Sequence, residues 1–226
     1  MAIFIKILLL LHIGAGFGSL VLFWLPIFTK KGGNLHRKIG KLYVYFMWVV
    51  VITAGILSIK NIFKGYYEAA ALLGFLTIAT SNPLWNGITI LNLKKGLTKN
   101  YRTVYLTLQI TLAISGALLI AYGFSLTENA FGILMIIFGF LGLSAIPDIY
   151  QKIKKPPQKV NWLYEHLSAM VISGIAAYTA FFAFGGRYFF QNLFTGYFEI
   201  IPWISPTIIG VFVIKMYKRK YNKKPC

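Results

Sequence analysis

Seven stretches of this chain stay apolar for about twenty residues or more, and cations collect in the gaps between them. A helix needs about 20 apolar residues to cross the hydrocarbon core of a bilayer. Within that core every backbone amide must find an internal partner, so runs of this length become helices. The pattern predicts spans at 4–28, 42–63, 67–93, 103–124, 130–149, 162–184 and 198–216, followed by a basic tail at 217–226. The first run is long, lacks a small-residue cleavage site and is followed by Lys30 and Lys31 as a stop-transfer flank, so it reads as a span and not as a cleaved signal. The last contains Pro202 and Pro206, which are tolerated where neighbouring helices satisfy the freed carbonyls. The expected fold is all-α: one polytopic domain, 1–226, with seven transmembrane helices.

Charge then orients the path. The chain carries 23 Lys plus Arg against five acids, a net charge of +18. Lys30, Lys31, Arg37, Lys38 and Lys41 fall in the first gap; Lys94, Lys95, Lys99 and Arg102 in the third; Lys152, Lys154, Lys155 and Lys159 in the fifth. Lys215, Lys218, Arg219, Lys220, Lys223 and Lys224 mark the tail. All lie on one side of a seven-span path, leaving Lys6, Lys60, Lys64 and Arg187 on the other. Short basic loops stay in the cytoplasm, so the N-terminus is expected outside and the C-terminus inside the bacterial cytoplasmic (inner) membrane.

Net charge alone would suggest nucleic acid. With 58% hydrophobic and 17% aromatic residues and a mean hydropathy of +0.68, a soluble basic domain could not hide its apolar surface. The cations also recur at each turn on one side, where a nucleic-acid face would cluster them among stacking aromatics. The expected partners are the lipid bilayer and anionic headgroups at the cytoplasmic side. Their pull on "KKGGNLHRKIGK" is roughly 1 kcal/mol per cation. No protein partner is implied. Cys226 is the single cysteine, which leaves no intrachain disulfide and no metal-type cysteine pair.

The chain has no phosphate-binding glycine loop, zinc-protease helix or nucleophile elbow. Candidate chemistry therefore rests on polar groups in or near the spans, where ionisable residues default to function. Only His12 sits well inside a span; no carboxylate approaches a midplane, which weighs against an ion-coupled transporter. His36, in the first basic turn, and His166, one turn into the sixth span, share the basic boundary with Asp148 and Glu165. Histidine with carboxylate suits a divalent transition metal. That gives His36, His166 and Asp148 as a candidate metal set, and His36, His166, Glu165 and His12 as a wider ligand or cofactor set. The plainer reading is that His36 caps or meets headgroups and His166 bonds a neighbouring helix. Haem held between His12 and His166 is disfavoured by depth, since the two lie about 12 Å apart along the membrane normal. Ser81, Asn82 and Asn86 surround Pro83 and read as helix–helix hydrogen bonding or, alternatively, as the lining of a solute path. The Gly14-x-x-x-Gly18 motif reads as close packing.

Two blocks carry a resemblance. "LHIGAGFGSLVLFWLPIFTKKGGNLHRKIGKLYVYFMWVVVITA" holds His12, Lys31, Gly32, Gly33, His36, Arg37 and Gly40, and "WLYEHLSAMVISGIAAYTAFFAF" holds Glu165, His166, Met170 and the run Thr179-Ala180-Phe181. Both resemble a bacterial membrane family catalogued as domain of unknown function 2306. The resemblance reaches from about Leu11 to Phe184. It implies a polytopic membrane protein with histidines in its motif blocks, and no activity. The functional expectation is a membrane protein that binds a small ligand, metal or redox cofactor near the cytoplasmic face. The alternatives are a membrane enzyme (a metal-assisted hydrolase, or a haem- or quinone-linked redox protein) and a channel or transporter of a neutral solute.

Overall fold

A computed structural model describes residues 2–126, 130–154, 160–186 and 201–222. Part of the fifth gap, most of the gap before the last expected span, the start of that span at Phe198 and the end of the tail lie outside these residues. The described residues are helical throughout, with no strand among them: α1 (Ala2–Phe28), α2 (Asn34–Phe63), α3 (Tyr67–Thr89), a 3-10 turn (Ile90–Asn92), α4 (Lys99–Phe124), α5 (Ala130–Leu143), α6 (Ile146–Lys154), α7 (Trp162–Ala180), a π-helical turn (Phe181–Gly185) and α8 (Ile201–Asn222).

Local chemistry sets several of these boundaries. Lys31 Nζ donates to the carbonyls of Pro26 at 2.9 Å and Ile27 at 2.7 Å, satisfying acceptors that the end of α1 leaves open. The turn that follows needs Gly32 at φ +75°, where a Cβ would be strained. Thr98 caps α4 by accepting from the Tyr101 amide. The fifth expected span is broken: α5 stops at Leu143 and α6 restarts at Ile146. Pro147 has no N–H to give the Leu143 carbonyl and its ring crowds that position. The two short helices still form an apolar stretch at Phe131–Lys154.

The chain forms two compact units, residues 1–53 with 163–226, and residues 54–162. In the first unit α1 and α2 run antiparallel, shown by His12 against Thr53, Gly18 against Phe46, Phe23 against Tyr43 and Pro26 against His36. α1 and α7 are also antiparallel, through Phe17–Phe181, Leu20–Tyr178 and Phe23–Gly174. α7 and α8 pair in opposite directions, with Gly210 on Ile175 and Lys218 over the Tyr164 ring. The basic ends of α2 and α8 therefore coincide.

The second unit is built on the α4–α5 hairpin. Gly116 and Gly123 face Gly132, Gly139 and Gly142. A methyl group at Gly116 would lie 2.6 Å from the Gly139 carbonyl oxygen, and one at Gly123 2.8 Å from that of Gly132. Each pair is two turns apart along its helix, so the glycines make one seam along which the backbones touch. Close packing expected at Gly14 and Gly18 is only half present. Gly18 abuts Phe46, whereas a methyl at Gly14 meets nothing within 4 Å.

Among the described residues four helical stretches are long and apolar enough to cross a membrane: Ile3–Phe28, Asn34–Phe63, Lys99–Phe124 and Phe131–Lys154, the last made of α5 and α6 together. Large apolar side chains point outward along them, including Leu10, Val21, Ile52 and Leu118. Such surface is costly in water and normal against lipid.

Candidate functional site

The basic end of the first unit brings sequence-singled residues to one level. α2 and α7 both oppose α1, so they are parallel to each other. They are pinned by Tyr43 and Ser173, whose hydroxyls meet at 2.8 Å. Both are buried, at 3% and 0% exposure. Ser173 donates to the Met170 carbonyl at 2.8 Å, which leaves the Tyr43 hydroxyl as the donor in the pair. His36 stands seven residues before Tyr43 and His166 seven before Ser173. Seven residues make nearly two full turns, so His36 and His166 stand at a similar level on their parallel helices, about 10 Å below the hydroxyl pair. Between those levels Gly40 faces open space.

His36 is half-buried, and its Nδ1 lies 3.1 Å from the Pro26 carbonyl. A carbonyl only accepts, so Nδ1 carries the proton and Nε2 of the neutral ring carries the lone pair. This is the arrangement by which metal-binding histidines are usually fixed. Glu165 and His166 are also half-buried and engaged with neighbours.

His12 is remote from this level. Its Nδ1 lies 2.8 Å from Thr53 Oγ1, and that hydroxyl also bonds back to Val49 and Val50. Continuing the α1–α7 register puts His166 beside the turn after α1, roughly 25 Å along the axis from His12. One haem iron cannot take both, and the structure gives His12 a packing partner instead.

The second unit holds a polar chain at its own basic end. Tyr101 donates to Asn86 Oδ1 at 2.6 Å. Gln109 donates to the Tyr105 hydroxyl at 2.8 Å, which donates to Asp148 at 2.9 Å. Lys152 pairs with Asp148 at 3.3 Å and lies 3.7 Å from the centre of the Tyr105 ring. Arg102 donates to the Lys152 carbonyl, and Lys94 lies over Trp162. The cations of the third and fifth gaps thus meet at one end. Asp148, expected as a metal ligand, is engaged by Tyr105 and Lys152. Among the described residues no three side chains of His, Cys, Asp and Glu form a group able to hold a metal ion.

Ser81 turns its hydroxyl back to the Ile78 carbonyl. Asn82 is 2% exposed and its Nδ2 has no partner. A buried orphan donor costs about 1–3 kcal/mol. Asn82→Leu is therefore expected to leave thermal stability in detergent unchanged or raised; a fall would show that the amide has a structural partner. Tyr101, Tyr105 and Gln109 escaped the sequence reading. Their spacing of four along α4 was the available signal, since it aligns three polar groups on one face.

Among the described residues the chain is an all-helical protein with four helices of membrane-crossing length and hydropathy. No family model, no curated protein and no solved structure matches it. The likeness to domain of unknown function 2306 rests on the two motif blocks alone.

Proposed function

We propose that this is a seven-span protein of the bacterial cytoplasmic membrane, N-terminus outside, which binds a divalent transition metal or metal-bearing redox cofactor through His36 and His166 at the cytoplasmic end of α2 and α7. The observation that carries the reading is the α2–α7 register, which sets two histidines at a similar level on parallel helices, one with Nδ1 engaged by a backbone carbonyl. Two protein ligands leave coordination positions for water or a substrate, as an enzymatic or carrier site requires. The orientation is supported by the coincidence of basic helix ends within each unit, and the family assignment by the His36 and His166 motif blocks.

The test is metal analysis and an absorption spectrum of detergent-purified chain. Near-stoichiometric metal, lost by more than about tenfold in a His36→Ala, His166→Ala double variant, is expected. A Soret band lost in the same variant identifies the cofactor as haem. Metal-free, colourless wild type that takes up no added zinc, manganese or iron overturns the proposal.

The orphan Asn82 amide favours one second reading, a path for a neutral solute past Asn82 and Asn86. Liposome flux insensitive to Asn82→Ala and Asn86→Ala removes it.

A further inference from the structure

The geometry points to a second binding site, for a small ammonium compound, at the end of α3 away from Asn86. A cavity of about 430 Å³ is lined by Tyr66, Tyr67, Glu68, Tyr122 and Phe131, with Gly65 and Ala69. Four of these seven residues are aromatic, and Glu68 is the one carboxylate or amine among them. An aromatic face is the negative end of the ring quadrupole, so rings in the wall of a cavity favour a cation. A carboxylate at the same cup adds direct charge complementarity. The location is notable for its sign: in a chain of 23 cations and five acids, this cavity is lined by an acid and no base.

The walls are held in place. The turn before α3 is closed by the Tyr66 amide on the Asn61 carbonyl at 2.9 Å and the Gly65 amide on that of Ile62 at 3.1 Å. Gly65 sits at φ +76°, a conformation that a Cβ would strain. On the facing side Tyr122 and Phe131 are each adjacent to a seam glycine, Gly123 and Gly132, whose backbones touch. The hairpin seam therefore sets the distance between those two rings. The volume falls within the range of about 300–1,000 Å³ usual for small-molecule pockets. Exposed tyrosines at a helix end would also suit an interfacial belt, but a belt does not need a concave cup or a carboxylate in it. Glu68 in the first turn of α3 favours the helix dipole, a role that leaves ligand selectivity untouched, so selectivity separates the two.

The probe is choline, titrated into detergent-purified full-length chain by calorimetry, against 3,3-dimethylbutan-1-ol, its neutral carbon isostere. Saturable choline binding, about tenfold or more tighter than the isostere, is expected. Glu68→Gln and Tyr66→Leu, at partly exposed and exposed positions, are each expected to weaken choline about three- to tenfold. No saturable binding, equal binding of the isostere, or unchanged affinity in both variants overturns the site. Its natural occupant is either a soluble ammonium compound or an aminated lipid headgroup. In nanodiscs, weaker choline binding with ethanolamine than with glycerol headgroups assigns it to lipid. Equal binding assigns it to a soluble cation. This site is independent of His36 and His166, so either can fail alone.

Discussion

Leucine in place of Gly116 is expected to abolish the properly folded protein. The Cβ alone would stand 2.6 Å from the Gly139 carbonyl oxygen and 3.0 Å from the Gly142 Cα. Both atoms are backbone, so no side chain can swing aside and the α4–α5 hairpin must open. Overpacking of this kind costs about 1–3 kcal/mol, and more when whole helices must separate. Gly116→Ala should lower the thermal midpoint in detergent by several degrees, about 2–4 °C per kcal/mol for a chain this size. Gly116→Leu should give no monodisperse peak in size-exclusion chromatography. Gly14→Ala is the control, because its Cβ meets nothing within 4 Å; it should shift the midpoint by no more than about 1 °C. Equal behaviour of Gly14→Ala and Gly116→Ala would mean that the glycine seam is not the packed contact described.

The second large effect is expected at the Tyr43–Ser173 pair, and it is asymmetric. Ser173 spends its proton on the Met170 carbonyl, so the Tyr43 hydroxyl donates to Ser173 Oγ. Ser173→Ala leaves a buried phenolic donor without an acceptor, at about 1–3 kcal/mol. Tyr43→Phe removes that donor together with its need and should cost less, about 0.5–1.5 kcal/mol. The double variant should then resemble Tyr43→Phe, which a double-mutant cycle measures directly. Because the pair sets the α2–α7 register, Ser173→Ala should also weaken, by several-fold, retention of the metal proposed for His36 and His166, while Tyr43→Phe leaves most of it. Equal destabilisation by the two single variants would show that the hydroxyl of Tyr43 has another acceptor.

The length and spacing of apolar runs were enough to read helices at every expected span within the described residues. Backbone amides in an apolar surrounding have little choice but to pair locally. Within each unit the meeting of basic helix ends was equally legible, since cations avoid the hydrocarbon core and collect at helix ends. Pro147 marked the break between α5 and α6, yet the apolar run leading up to it concealed it. His36 and His166 were picked out by chemistry and by their place at the basic boundary; that they stand at a similar level followed only from the Tyr43–Ser173 contact. Asp148 shows the converse. Its residue type suggested a ligand, and only the structure showed its partners, Tyr105 far away in sequence and Lys152 one turn along.

What the sequence determined by itself, then, is the set of helices and which ends of them are basic, because both depend on transfer from water, a property each segment carries alone. The tertiary structure alone decided which faces meet: the glycine seam of α4 and α5, the level of the two histidines, the polar chain through Tyr105, and the aromatic cup around Glu68. Those depend on how one helix is rotated and slid against another. Hydropathy is nearly uniform around an apolar helix and does not specify rotation or sliding, so side-chain contact geometry settles them.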